Sequence, residues 1–189
     1  LAQALFWAMI LGHLEGNPAE VARLASDLIE LSTRQNFAFW LPGGKILRGW
    51  ARSASGSTAE GIAWIEDGIR GYRVTGAMLR MPYFLALKAE ALYFGDRVSE
   101  ALEAITEAEE AVERSEERWW CAELHRLRGV FLATLGADEA QIEASFCAAI
   151  RNAKEQKSVW LEKRAEATYS EYRSQKESGA GGRGFRLPL

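Results

Sequence analysis

Apolar residues recur along this chain at helical spacing. Trp120, Leu124, Leu127, Phe131 and Leu135 fall three and four apart, which places them on one side of a helix. Val98, Ala101, Leu102, Ile105, Ala108 and Val112 do the same in the preceding segment. No stretch alternates in the two-residue rhythm of a strand. The pattern predicts helices over about 1–14, 18–35, 38–55, 58–75, 78–94, 97–115, 118–135, 138–156 and 158–176. Pro42 and Pro82 fall in the first turns of two of these helices, where a missing N–H costs little.

The helices pair, and the pairs repeat. Gly16, Gly56, Gly95 and Gly136 each close an apolar helical stretch and stand 40, 39 and 41 residues apart. Glycine at such a stop supplies the left-handed backbone that other residues resist. Trp40, Trp120 and Trp160 lie at multiples of forty, with Arg80 in the remaining slot. The triplets Leu47-Arg48-Gly49, Leu87-Lys88-Ala89 and Leu127-Arg128-Gly129 keep the same spacing. Gly49, Ala89 and Gly129 are small where one helix must approach its neighbour closely. Three markers on one period predict an all-α fold: a right-handed solenoid of antiparallel helix pairs with a period of about forty residues. The units expected are about 1–36, 37–76, 77–116 and 117–157, with a half unit at 158–176 and a flexible Gly/Arg-rich tail at 177–189. The lone helix of the half unit would leave an open apolar end. The chain opens on Leu1 already in a helical pattern, so it is expected to be a segment of something longer.

Composition narrows the function classes. At 189 residues, 48% hydrophobic and 26% charged, the chain has the make-up of a globular domain with its own core. Its net charge of −3 removes the electrostatic case for nucleic-acid binding by this segment. No apolar run reaches the ~20 residues that cross a bilayer, so neither a membrane partner nor a location outside the cytoplasm is expected. Two cysteines (Cys121, Cys147) and two histidines (His13, His125) are too few for a disulfide scaffold or a Cys/His zinc site. The Glu residues of 100–117 spread over several turns and read as a solvated face, not an oxygen cage.

Catalytic motifs are missing too. Pro42-Gly43-Gly44-Lys45 lacks the four residues between glycines and the Ser or Thr after Lys that a phosphate loop needs, and reads as the first turn of a helix. His125 stands alone on its helix, without a placed nucleophile or second ligand. Arg48, Lys88 and Arg128 occupy one repeat position in three successive first helices. Aligned, they could meet an acidic peptide or a phosphate; the plainer reading is pairing with neighbouring Glu. No metal, cofactor or catalytic residue is expected.

Specific stretches carry a family resemblance. Glu100-Ala101-Leu102 in a second helix, with Leu-x-Gly or Leu-x-Ala in the first helices, resembles tetratricopeptide repeats, although the units here are longer than the usual ~34 residues. HEAT-type pairs, with a period nearer forty, are the architectural alternative. Pro82 to Leu92, Glu117 to Gly129 and Ala144 to Ser158 resemble the C-terminal repeat region of large bacterial signalling proteins. In that family a class III adenylate/guanylate cyclase domain, or a winged helix, precedes a STAND-type ATPase, and a tetratricopeptide array closes the chain. The likeness covers roughly 40–172. It implies a non-catalytic regulatory module that binds a peptide, a partner protein or the parent's own ATPase domain. By analogy with tetratricopeptide grooves, Tyr83, Glu90, Glu123 and Arg126, with Arg48, Lys88 and Arg128 alongside, are the candidate interaction face. Two further readings stand beside it: a small-molecule sensor with a pocket lined by Trp and His125, and a self-assembly module.

Overall fold

In the computed structural model, residues 1–178 are described, and every regular element among them is an α-helix. In chain order these are α1 (Ala2–Leu14), α2 (Pro18–Arg34), α3 (Trp40–Ala54), α4 (Thr58–Val74), α5 (Met81–Phe94), α6 (Val98–Ser115), α7 (Cys121–Thr134), α8 (Glu139–Glu155) and α9 (Val159–Glu177). The tail expected at 177–189 lies, from residue 179 on, outside the described residues.

The sequence fixes these helices by local chemistry and by burial. Asn17 caps α2 by accepting from the Glu20 N–H at 3.1 Å, and Pro18 takes the position after it. The even-numbered helices are amphipathic; α6, for example, buries Ala101, Ala104, Ile105, Ala108, Ala111 and Val112 and turns its Glu residues to solvent. In contrast, α5 is apolar almost throughout and buries eleven of its fourteen residues. The first helix of each later pair begins two or three residues later than the apolar pattern suggests. A turn intervenes, closed by Trp40 N–H to Phe37 C=O, Met81 N–H to Met78 C=O and Cys121 N–H to Arg118 C=O at 3.1, 3.2 and 3.1 Å.

The period is sharper in the backbone than in the residue types. Left-handed residues close the first helices at Gly16, Gly56, Asp96 and Gly136, forty apart each time. Gly95 is not one of them: its φ is −91°, and Asp96 takes the left-handed position at φ 58°. A second left-handed series, which the residue types do not announce, closes the second helices at Asn36, Gly76, Glu116 and Lys157, with steps of 40, 40 and 41. Glu and Lys meet a cost of roughly 1–2 kcal/mol in this conformation, against roughly 0.5–1 kcal/mol for the greater freedom that glycine loses on folding. Glu116→Gly and Lys157→Gly are each expected to raise the unfolding free energy by up to ~1 kcal/mol, read as a higher urea midpoint. Asn36→Gly should change it little, because Asn tolerates this region.

The chain divides into two units, one running from Leu1 to Arg97 and one from Val98 onward, so the division falls between α5 and α6, inside the third expected pair. In the first unit, each of α1 to α5 packs on the next in order, and α1 with α3, and α3 with α5, also touch. In the second unit, α6 to α9 pack in order and α7 touches α9. Within each unit, sequence neighbours are therefore spatial neighbours and first helices meet first helices, as a helical repeat requires.

The small repeat positions sit at the contacts within pairs. A Cβ on Gly49 would lie 2.5 Å from the Gly61 carbonyl oxygen and 2.9 Å from the Ile65 nitrogen, so α3 and α4 touch backbone to backbone. A Cβ on Gly129 would lie 2.8 Å from the Phe146 ring of α8. Ala89 is fully buried. The tryptophans do not share one role. Trp40 is half-buried beside Phe6 and Phe39, Trp120 is buried, and Trp160 is exposed. The 41-residue step before Lys157 shifts α9 by one, so that Trp160 corresponds to Trp119, and the buried Leu161 fills the slot of Trp120.

Candidate functional site

Four polar or amphipathic side chains meet inside the first unit. The Trp50 Nε1–H donates to Glu90 Oε2 at 2.7 Å, His13 Nε2 lies 3.3 Å from the same oxygen, and the Tyr83 hydroxyl lies 3.0 Å from His13 Nδ1. Burial, then the Glu90 charge, hold the Tyr83 pKa well above its ordinary value, so the phenol keeps its proton. One set of roles satisfies the ring: Tyr83 donates to Nδ1, and the Nε2–H donates to Glu90. None of the four is more than 5% exposed. They lock α1, α3 and α5 together and meet no solute from solution.

A second buried cluster holds the other unit. Arg126 donates to both oxygens of Glu123 at 2.9 and 2.6 Å, and its Nη1 donates to Thr168 Oγ1 at 3.3 Å. Arg164 of α9 brings its Nε within 3.3 Å of Glu123 Oε1, while its guanidinium lies 5.2 Å from the Trp160 ring centroid. Two guanidinium groups thus share one buried carboxylate, and α9 is tied to α7 through them.

The seven residues of the expected interaction face therefore do not form one surface. Tyr83 and Glu90 are buried in the first unit, and Glu123 and Arg126 in the second. Arg48, Lys88 and Arg128 point elsewhere, toward second helices. Arg48 stacks over Trp64 at 4.7 Å, Lys88 lies 3.3 Å from Glu66, and Arg128 donates to both oxygens of Glu109 at 2.9 and 2.6 Å. The basic series is thus a set of ties between first and second helices. Arg128 is held in its charged form mainly by its hydrogen bond to Glu109.

The apparent phosphate loop is helix: Gly43 and Gly44 are buried in α3, where a Cβ would meet Phe6 at 2.9 Å and Ile29 at 3.0 Å. Among the described residues no three His, Cys, Asp or Glu side chains stand close enough to hold a metal ion, and no helix is long and apolar enough to cross a membrane.

Two surface features bear on function. One is a cleft of about 400 Å³ between α6, α7 and α8, floored by Val112, Cys121 and Leu124 and edged by Glu113, Arg118 and His125. Burial lowers the His125 pKa against the opposing pull of Glu109, whose Oε1 lies 3.8 Å from Nδ1, and burial raises the pKa of the Cys121 thiol. A neutral imidazole and a neutral thiol therefore face the cleft. No Trp lines it.

The other is a series that residue type alone did not bring out. Three residues after each left-handed residue that closes a second helix comes a large apolar side chain: Phe39, Leu79, Trp119 and Trp160. All four are exposed, at 37, 54, 36 and 43%. Phe39 packs on Tyr72, whose hydroxyl donates to the Leu79 carbonyl at 2.6 Å, so both junctions of the first unit are held by one side chain. In the second unit, Gln156, one residue before Lys157, donates to the Arg118 carbonyl at 2.5 Å and so ties the two junctions that carry Trp119 and Trp160. Trp119 itself donates to Glu117 at 2.6 Å.

Comparison with known proteins adds one relative of unassigned function. The chain is 29% identical over 120 residues to an uncharacterized protein of Rhizobium meliloti (strain 1021). The matched stretch is 64% of this chain and 12% of that protein, which therefore runs to about a thousand residues. No family model and no solved structure matches the chain.

Proposed function

We propose that the chain is a non-catalytic, tetratricopeptide-like interaction and regulatory module, a right-handed helical solenoid within a multidomain bacterial signalling protein. The parent is an adenylate cyclase-like or ATPase-coupled regulator of the cytoplasm. The module's partner is a peptide, another protein or the parent's own ATPase domain. The observation that carries this reading is the junction series. Scattered exposed apolar residues are ordinary; a pair at one repeat position in each unit, Phe39 with Leu79 and Trp119 with Trp160, supplies the kind of residue that anchors protein partners. The great length of the Rhizobium relative supports a multidomain parent.

The test is an assay of nucleotide cyclase and ATP turnover by the polypeptide that contains this segment, with and without residues 1–189. A second arm carries Phe39→Ser, Leu79→Ser, Trp119→Ser and Trp160→Ser together. Catalysis that survives in both but changes in level supports the regulatory reading. Unchanged catalysis in both moves the array to localisation or assembly. Turnover by the isolated 189 residues would sink the proposal.

The cleft at His125 favours a second reading, a small-molecule sensor, since its volume falls within the range of ligand pockets. A thermal-shift screen of small metabolites, with hits re-measured on His125→Ala, separates the two. A shift lost in that variant supports the sensor, and an absence of shifts removes it.

A further inference from the structure

Helix α1 departs from every other first helix in what it leaves uncovered. Its thirteen residues carry no Asp, Glu, Lys or Arg, and its one ionisable side chain, His13, is buried. A helix that is apolar all round belongs inside a protein. Yet Ala4, Trp7 and Leu11, which lie three and four apart on one face, are exposed, Trp7 at 44% and Leu11 at 59%.

The repeat says what covers that face. Forty residues on, the same positions of α3 are Gly44, Leu47 and Ala51, all buried. In α5 they are Phe84, Leu87 and Ala91, and in α7 Leu124, Leu127 and Phe131, buried again. The neighbour that does the covering is known at both ends of the series. A Cβ on Gly44 would meet Ile29 and Leu28 of α2, the second helix of the pair before it, at 3.0 and 3.5 Å. In α9, allowing for the 41-residue step, the position of Leu11 is Tyr172, which lies 5.6 Å from Phe146 of the preceding second helix α8. In α9 the exposed side is different: beyond its first turn, where Val159 and Trp160 are exposed, it presents Lys163, Glu166, Ser170, Glu171, Ser174 and Glu177. An open apolar face of the kind expected at the half unit therefore runs along α1, whereas in α9 exposed large apolar residues are confined to the first turn.

We propose that the Ala4–Trp7–Leu11 face of α1 is the seat of an amphipathic helix of this same repeat, the second helix of a pair lying immediately N-terminal to Leu1 in the polypeptide. The occupant carries a Leu/Ile stripe like that of Leu28 and Ile29, and enters α1 through a junction like the one that leads from α2 into Leu41. This inference rests on the helical-repeat part of the reading above and is independent of what the array regulates.

The test adds a copy of residues 1–40 ahead of Leu1, so that the chain passes from a Trp into Leu1 as it passes from Trp40 into Leu41. The reporter is a Leu11→Cys substitution in the original α1, with Cys121→Ala and Cys147→Ser, labelled by a maleimide. The expected result is more helix by circular dichroism, a higher urea midpoint, and labelling slowed by about tenfold or more relative to the chain without the added unit. Added helix with unchanged labelling overturns the seat and leaves the repeat standing. No added helix overturns both. If the 189-residue chain sediments as a dimer, labels slowly as it stands, and is dispersed by Leu11→Glu, the occupant is a second copy and the proposal fails.

Discussion

Arg126→Ala is expected to cost about 3–5 kcal/mol of stability, the loss found when one partner of a buried ion pair is removed. Both side chains of the Arg126–Glu123 pair are at most 2% exposed, and both Glu123 oxygens accept from Arg126. With the guanidinium gone, the carboxylate loses both of these hydrogen bonds while Arg164 stays 3.3 Å away, and Thr168 loses the nitrogen it accepts from. Replacing the pair together, as Glu123→Leu with Arg126→Met, should restore part of the loss, because neither Glu123 nor Arg126 is then left buried without the other, while the partly exposed Arg164 loses its carboxylate. Glu113→Ala, which breaks a 3.9 Å pair between two largely exposed side chains, serves as the control and should cost ~0–1 kcal/mol. Urea unfolding of the four proteins is the measurement. Equal midpoints for Arg126→Ala and Glu113→Ala would mean that the buried cluster is not what ties α9 to α7.

That cluster also marks the limit of what residue order conveys. The helices and the forty-residue period are legible because apolar spacing and glycine stops are local signals. The left-handed residues Glu116 and Lys157 are invisible by type, since the backbone conformation there is imposed by the repeat and not by the side chain. Glu123 and Arg126 look like groove residues because charged side chains are rarely buried. Only the three-dimensional placement of Arg164 and Thr168, about forty residues on, shows that they have partners inside. His13 carried a weak signal: it is the one ionisable group in an apolar helix, which implies a buried partner without naming it. The tryptophans at 120 and 160 are alike in type but not in position, because one extra residue in the turn between Gly136 and α8 moves α8 and α9 out of step. The same step hides the junction series, which aligns only when the left-handed residues, and not the tryptophans, set the register.

Gly61→Ala is expected to destabilise the first unit by roughly 1–3 kcal/mol or more, the cost of forcing atoms into a filled contact. In isolation the change would help, since Ala is better than Gly inside a helix by ~1 kcal/mol. Packing decides the sign. A Cβ at Gly61 would run into the Ser53 hydroxyl and the Gly49 carbonyl of α3, and the Ser53 nitrogen at 2.8 Å. Two of those three atoms are backbone, so α3 and α4 would have to separate along the seam that Gly49, Gly61 and Gly68 form. A shift there reaches Ser53, whose hydroxyl donates to the Gly49 carbonyl at 3.0 Å, and Trp50, which holds Glu90. Gly71 lies in the same helix, but a Cβ there would meet only the Pro42 ring, at 3.4 Å, an ordinary contact. Gly71→Ala should therefore be neutral or raise stability by up to ~1 kcal/mol. The opposite signs of two identical substitutions ten residues apart, read from urea midpoints, test the close approach of α3 and α4. Two gains would show that the helices stand further apart than this packing requires.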